Sequence, residues 1–216
     1  PGAGRDPLAP GAVDVLQGDE EPGPLAGLGD VRRLGKAREP LRPGGAVVWG
    51  GILAVFALLS ALVGGFAASA SYAIHVLLAY TSIAQSGLIA LGFGVSLVLA
   101  PVNPPLAALA LLGASFHVVG DAVVKALLFL NAGALQWRTG SRRLIDLGGL
   151  FTAMPVTGWT ALLASLAIAG FPPLTAFTAK WLMLQATVLS GVPAVSVAGL
   201  ALLIASLFSI LYSVKF

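Results

Sequence analysis

The chain has 216 residues, of which 57% are hydrophobic and only 10% are charged, with a formal net charge of +3. Its mean hydropathy of +0.94 is far above that of a soluble globular domain, so the composition predicts a membrane protein. Charges this few argue against a nucleic-acid-binding face, and the absence of cysteine excludes disulfides and thiolate metal sites.

Residues 1–45 form a polar segment that precedes the apolar part of the chain. They contain ten glycines, seven prolines, six of the twelve basic residues and seven of the nine acidic residues. Such a segment buries too little apolar surface to offset its ordering entropy, so we expect a disordered tail or a long loop. Because the chain begins at Pro1 and ends at Phe216, directly after an apolar run, we expect a fragment, a processed chain or one piece of a split polypeptide.

Residues 46–216 are predicted to form an all-α, polytopic membrane domain with about five transmembrane helices, one of them discontinuous. A spanning helix needs about 20 apolar residues. Four continuous runs meet this length: Ala46–Ala68, Tyr72–Ala100, Leu106–Gln136 and Pro193–Val214. The prolines of 101–105 separate the second run from the third, because proline lacks an N–H donor and blocks a helix.

The remaining span, Pro155–Ser190, is interrupted in its middle by Gly170, Phe171, Pro172 and Pro173. Two consecutive prolines cannot continue a helix, and each half is short for a full crossing. Broken helices are tolerated in membranes only where protein or a water-filled cavity covers the freed backbone, which is where transporters place their sites. We therefore predict a helix break at Gly170, Pro172 and Pro173.

The basic residues predict the orientation of the domain. Arg138, Arg142 and Arg143 lie in the polar loop before the broken span, which favours the cytoplasmic side for that loop. Lys215 falls on the same side after two more crossings, and the segment before the first span falls outside. The five basic residues just before that span oppose this assignment, and we give the arginine loop precedence.

Three ionisable residues lie in the third span, in the string SFHVVGDAVVKALLFL (115–130). His117, Asp121 and Lys125 are spaced at i, i+4 and i+8, so they share one helix face. Each costs about 2.5–3.5 kcal/mol at bilayer depth on insertion scales. Histidine can donate and accept a proton, and Asp121 can neutralise Lys125. Two interpretations stay open: a proton or ion path, or a buried pair that only tightens helix packing.

Two further residues are candidates for the same path. Lys180 lies about two turns after the double proline with no carboxylate within four residues, and it either exchanges protons or extends to the interface beside Trp181. His75 shares one face of the second span with Ser82 and Ser86, with Gln85 beside it. That polar stripe either holds water or simply joins helices.

No glycine-rich phosphate loop, catalytic triad or metal-ligand cluster is present in the sequence, so no catalytic residue, metal site or cofactor is predicted. His75 and His117 on neighbouring spans allow haem-iron ligation as an alternative, on the thin basis of two histidines. We interpret the glycines of the first two spans as points of close helix packing: Gly64, Gly65, Gly87, Gly92 and Gly94.

Four strings, in order and in spacing, resemble the antiporter-like membrane subunits. They are LLAYTSIAQSGLIALGFG (77–94), HVVGDAVVKALLFLNAGAL (117–135), DLGGLFTAMPVT (146–157) and AGFPPLTAFTAKWLMLQA (169–186). That family includes the proton-pumping subunits of respiratory complex I, the multisubunit Na+/H+ antiporters and the membrane subunits of formate-hydrogenlyase-type hydrogenases. The resemblance covers about residues 46–216.

The resemblance implies a fold of two inverted five-helix repeats, each with a broken helix and a central buried lysine, of which this chain is similar to the second. Lys125 then matches the central lysine, His117 a relay histidine, and Lys180 the residue that leads outward. Asp121 and His75 are additional relay candidates.

This chain departs from the family pattern at three places. Gly120-Asp121 replaces the usual Asn-His, His75-Val76 replaces Lys-Arg, and Thr175-Ala176 replaces Ser-Gly. A carboxylate at Asp121 can relay protons, or it can hold Lys125 in a salt bridge. The first repeat, with its own glutamate and lysine, is missing from the chain.

The function implied by the resemblance is translocation of H+, or exchange of Na+ for H+, as a multi-pass subunit of the inner (cytoplasmic) membrane. Its expected partners are the lipid bilayer and other membrane subunits, including a first antiporter-like repeat, with no nucleic acid. The subunit would be non-catalytic itself, within an oxidoreductase of the NADH:quinone or hydrogenase type or within a cation/proton antiporter. The alternative is a structural, non-conducting membrane subunit.

Overall fold

A computed structural model describes residues 43–215, which form seven α-helices and no β-strand. The helices are α1 (Pro43–Ala70), α2 (Ile74–Leu99), α3 (Pro104–Thr139), α4 (Leu150–Ala153), α5 (Pro155–Ala169), α6 (Thr175–Val188) and α7 (Pro193–Ser213). The predicted all-α fold is confirmed. The expectation of a tail or loop at the start of the chain lies, up to residue 42, outside the described residues.

Four helices, α1, α2, α3 and α7, are long and apolar enough to cross a membrane. α5 and α6 have only 15 and 14 residues, and they follow one another across an interruption that runs from the end of α5 at Ala169 to the start of α6 at Thr175. The described part of the chain is therefore a multi-pass membrane domain with one divided segment, as its sequence pattern predicts.

The helix ends follow from local chemistry. α1 begins at Pro43, three residues before its predicted start at Ala46, because a proline in the first helical turn removes no hydrogen bond. α3 begins at Pro104, where the Asn103 side chain accepts a bond from the Leu106 N–H at 3.3 Å. It ends at Gly140, whose φ of 71° is left-handed. At 36 residues, α3 is about 54 Å long, so it exceeds a hydrocarbon core of about 30 Å.

The α1–α2 loop is joined to the loop that follows α3. Ala73 and Arg143 form an antiparallel β-bridge. The N–H of Ile74 donates to Arg142 O at 2.9 Å, and the N–H of Leu144 donates to Tyr72 O at 2.9 Å. These bonds fix the end of α1, the start of α2 and the arginine loop at one end of the bundle.

Lys215, just after α7, lies at the same end. Its ammonium donates to the backbone oxygens of Ser69 and Ser71 and lies 4.4 Å from the centre of the Tyr72 ring. A lysine near the last carbonyls of a helix is favoured by the helix dipole. Lys215 and the arginine loop therefore share one side, as predicted.

Small residues bring α1 and α2 into close contact. A Cβ atom added at Gly87 would lie 2.7 Å from Ala57 O and 2.9 Å from Ala61 Cα, and one added at Gly94 would lie 2.9 Å from Gly50 O. Neither site can hold a side chain without moving the neighbouring backbone. The interpretation of these glycines as packing points is confirmed, and the opposite face of α1 displays large apolar side chains outward, including Trp49, Phe56 and Phe66.

We predict that Gly87→Ala lowers the thermal unfolding midpoint of the protein in detergent, because the new methyl group would overlap the α1 backbone. Overpacking of this kind costs about 1–3 kcal/mol. Gly133→Ala on α3, where a Cβ meets nothing within 4 Å, is the matched control. It should be neutral or stabilising, since alanine is the better helix former by about 1 kcal/mol. Equal midpoints for the two variants would contradict this account of the α1–α2 contact.

Candidate functional site

Lys125 is bonded by a hydroxyl group of the neighbouring helix. Its side chain on α3 is only 8% exposed, and its ammonium donates to Thr81 Oγ1 on α2. Thr81 in turn donates its own hydrogen to Leu78 O at 2.8 Å. A neutral hydroxyl, not a carboxylate, is therefore the hydrogen-bond partner of this buried cation.

His117 lies two turns before Lys125 and is 2% exposed. Its Nε2 is 2.8 Å from Gln85 Oε1 on α2. The Gln85 amide nitrogen donates to Tyr212 Oη at 2.6 Å and faces Ser209 Oγ at 3.4 Å, both on α7. The other ring nitrogen, Nδ1, is buried and has no hydrogen-bond partner among the described residues. Three helices thus meet at His117.

Asp121 is half-buried and stands between His117 and Lys125 on α3. Within residues 43–215, no salt bridge within 4.0 Å joins it to Lys125 or Lys180. The close Asp121–Lys125 pair that their spacing allows is therefore not formed, because the long Lys125 side chain extends across to Thr81 instead. Asp121 lines a small cavity together with His117 and with Thr175 of α6.

Lys180 of α6 is turned back toward α5. Its side chain is 8% exposed, and its ammonium donates to Ile168 O at 3.4 Å. That carbonyl belongs to the last turn of α5, before Gly170 ends the helix with a left-handed φ of 88°. The cation thus lies at the negative end of a helix dipole. It is buried in protein, whereas the adjacent Trp181 is 49% exposed.

His75 lies apart from this cluster, near the arginine loop. Its Nε2 is 2.6 Å from the Gln136 side chain of α3, and the turned Gln136 amide would accept from Arg142 Nε at 3.0 Å. His75 precedes Gln85 by ten residues, about 15 Å along α2. Two histidines so far apart cannot face each other across one iron, so the haem alternative is wrong. No group of three His, Cys, Asp or Glu side chains within the described ranges is placed to hold a metal.

Of the polar residues that the sequence pattern of α2 suggested, only Gln85 bonds to a site residue of α3. Ser86 is exposed, and Ser82 donates to its own helix backbone at Leu78 O. The buried partners are Thr81 and Gln85. These two are spaced at i, i+4, the same interval as the ionisable residues of α3. This shared spacing is the feature of the sequence from which their pairing with α3 could have been predicted. Tyr212 and Ser209 carried no signal in their own apolar segment.

Two of the departures from the family pattern are in contact. A Cβ atom at Gly120 would lie 2.6 Å from Thr175 Oγ1 and 2.8 Å from Thr175 Cβ. A residue larger than glycine at position 120 therefore conflicts with the threonine in its present place. Gly120 and Thr175 act as a matched pair that brings α6 close to α3 beside Asp121.

Residues 38–208 match the family model described as NADH:quinone oxidoreductase/Mrp antiporter, TM. Formate hydrogenlyase subunit 3 of Escherichia coli (strain K12) is 38% identical, over 70% of this chain and 25% of that protein. Hydrogenase-4 component B of the same organism is 36% identical, over 81% of this chain and 26% of that protein.

A solved structure is also similar. A chain of the membrane-bound sulfane sulfur reductase, an archaeal respiratory membrane complex, has a TM-score of 0.67 and 32% identity, covering 78% of this chain and 26% of that one. The present chain spans about a quarter of the length of these relatives.

We predict that Thr81→Val destabilises the protein, because it leaves the buried Lys125 ammonium without its hydroxyl acceptor. Loss of such a partner costs about 1–3 kcal/mol. Thr81→Ser keeps the hydroxyl and should retain most of the stability. The free energy of unfolding in detergent measures the difference, and a Thr81→Val variant as stable as Thr81→Ser would show that Thr81 does not hold the cation.

Proposed function

The chain belongs to the NADH:quinone oxidoreductase/Mrp antiporter transmembrane family, and from that membership we propose that it conducts protons, or exchanges Na+ for H+, within a larger membrane complex. The relatives described above are named as a subunit or component of a hydrogen-metabolising system or come from a respiratory complex. We assign this chain the same kind of place, as a non-catalytic subunit beside other membrane subunits.

The observation that carries the proposal is a row of polar groups on α3, of which His117 and Lys125 are buried and Asp121 is half-buried. His117, Asp121 and Lys125 follow each other at intervals of about 6 Å along α3. The cavity between His117 and Asp121 has residues of both halves of the broken segment on its wall, Ile168 and Thr175. Lys180 is bonded to the backbone oxygen of Ile168, which also lines this cavity. The row thus connects the middle of α3 with the helix break.

The partners of the two lysines suit proton exchange. A lysine in a buried salt bridge cannot lose its proton without leaving a carboxylate unpaired in low dielectric. Lys125 is bonded to a hydroxyl and Lys180 to a backbone carbonyl, so the loss of a proton from either lysine leaves no bonded carboxylate unpaired. In the proposed path Lys125 is the central site, Asp121 and His117 relay the proton, and Lys180 passes it outward. His75, bonded to Gln136 at the arginine-loop end, is the relay residue nearest that side.

The proposed assembly includes more than this chain. A first antiporter-like repeat, on the same or another polypeptide, would supply the other half of the path. A redox or ion-gradient subunit would supply the driving force. The proposed location is the inner (cytoplasmic) membrane, with the arginine loop and Lys215 on the cytoplasmic side.

We predict that Lys125→Ala abolishes coupled proton movement by the intact complex in sealed membrane vesicles, with at least a tenfold loss. Lys125→Met, which keeps the length of the side chain, should behave alike. Arg138→Ala, an exposed position at the end of the same helix, is the control and should move protons normally. Unchanged proton movement in both Lys125 variants would favour the alternative of a structural, non-conducting subunit.

The sequence contains no cysteine, so the proposed orientation can be tested by labelling single introduced cysteines. The Ser141→Cys variant, in the arginine loop, should react with a membrane-impermeant maleimide only from the cytoplasmic side. The Val102→Cys variant, in the exposed α2–α3 loop, should react only from the other side. The reverse labelling pattern would overturn the assigned orientation and leave the fold intact.

A further inference from the structure

We propose that Gln85, Tyr212 and Ser209 are positioning residues that hold His117 with its hydrogen on Nε2, so that proton exchange is confined to Nδ1. The role in conduction rests on the function proposed above. The assignment of the hydrogen does not, because it follows from the directions of four hydrogen bonds.

The donor and acceptor of each hydrogen bond can be assigned in sequence, starting on α7. Ser209 Oγ donates to Ala205 O at 3.3 Å, and Tyr212 Oη donates to Ser209 Oγ at 3.1 Å. A phenolic group has one hydrogen, so Tyr212 can only accept from Gln85, 2.6 Å away. The Gln85 nitrogen therefore faces α7.

The orientation of Gln85 determines which nitrogen of His117 carries the hydrogen. With its nitrogen facing Tyr212, Gln85 presents its carbonyl oxygen to His117 Nε2 at 2.8 Å. A carbonyl oxygen can only accept, so Nε2 carries the hydrogen. In the neutral ring, Nδ1 then bears the free lone pair.

The reverse direction leaves buried donors without acceptors. With the Gln85 amide turned, its oxygen would accept from Tyr212, and Ser209 would keep its bond to Ala205 O. The two hydrogens of the amide nitrogen would lose Tyr212 and Ser209 and would face only His117 Nε2. His117 would then carry its hydrogen on Nδ1, which has no acceptor among residues 43–215. The observed direction avoids these unmatched donors.

Nδ1 is the atom that remains free for exchange. It is buried without a partner among residues 43–215, and its ring lines the cavity that also contains Asp121 and Thr175. A proton taken up at Nδ1 produces an imidazolium with both nitrogens protonated, and the same proton leaves from Nδ1. The hydrogen on Nε2 stays bonded to Gln85 throughout. The proton is thereby kept on the α3–α6 side and away from α7.

The charged and titratable groups around His117 come from three helices. Asp121 and Lys125 lie on α3, Lys180 lies on α6, and Tyr212 on α7 is bonded to Gln85. Only Gln85 bonds directly to the ring among the described side chains. Its removal is therefore the direct test of the assignment.

The test is solid-state 15N NMR of the full chain in lipid bilayers with labelled histidine rings. The chain has only two histidines, so a His75→Gln variant identifies the His117 signals. The expected result is a neutral His117 with protonated Nε2 in at least tenfold excess over the Nδ1–H form. Equal populations, or an excess of the Nδ1–H form, would overturn the assignment without any variant at the site.

Variants then test the positioning role. Gln85→Met removes the acceptor and should raise the Nδ1–H population at least fivefold, whereas Gln85→Glu keeps an acceptor and should retain the Nε2–H form. Tyr212→Phe combined with Ser209→Ala frees the amide to turn and should resemble Gln85→Met. Tyr80→Phe combined with Ser86→Ala, both exposed on α2, is the matched control. If the Tyr212→Phe/Ser209→Ala variant has the same ratio of Nε2–H to Nδ1–H His117 as this control, the positioning role of Tyr212 and Ser209 is overturned.

Measurements of coupled proton movement distinguish a failure of the tautomer assignment from a failure of the proposed function. The double α7 variant should slow coupled proton movement several-fold, and the exposed control should not. Normal movement in Lys125→Ala together with the Nε2–H form of His117 would reject the proposed function and leave the tautomer assignment standing. Complete loss of proton movement in Lys125→Ala, together with a His117 that carries its hydrogen on Nδ1, would support the proposed function and reject the tautomer assignment.

Discussion

Hydrocarbon offers no hydrogen-bond partner, so a polar side chain inside the bundle is stabilised when its own helix backbone or a neighbouring helix supplies one. This constraint explains why α2 and α3 pack as they do. Thr81 and Gln85, one turn apart on α2, bond to Lys125 and His117 on α3. α7 completes the set, since its Tyr212 and Ser209 satisfy the Gln85 amide. Between α1 and α2, small residues let the two backbones come close, and Ser60 of α1 donates to Ile83 O of α2 at 3.2 Å.

The spanning segments could be read from the sequence because a bilayer requires about 20 apolar residues for each crossing and because Pro172-Pro173 cannot continue a helix. The partners of the buried residues could not be read in this way. Spacing at i, i+4 places Asp121 and Lys125 on one face, but it does not fix the direction of a flexible lysine, which extends to Thr81 instead. The rotation of α2 about its own axis, which the sequence does not reveal, places Thr81 and Gln85 in contact with α3 instead of Ser82 and Ser86. Tyr212 is 127 residues from its partner Gln85 on α2, and a local sequence pattern carries no information over that distance.

The departures of this chain from its family acquire a common explanation in the structure. Gly120 leaves room for Thr175, and the residue after it, Asp121, faces the cavity that this close approach creates. The carboxylate of Asp121 therefore lies beside the close contact between α3 and α6. Within the described residues it forms no salt bridge, so it does not fix Lys125 in place.

The bonds among the loops at the arginine-loop end have a mechanical consequence. The Ala73–Arg143 bridge and the Lys215 ammonium tie together the start of α2, the end of α3 and the end of α7. Helices joined at one end can change their separation only by pivoting about that end. The segment from Gly170 to Leu174 interrupts the helical hydrogen bonding between α5 and α6, so we expect the domain to bend there more easily than along a continuous helix. Relative motion of the helices should accordingly be smallest at the arginine loop.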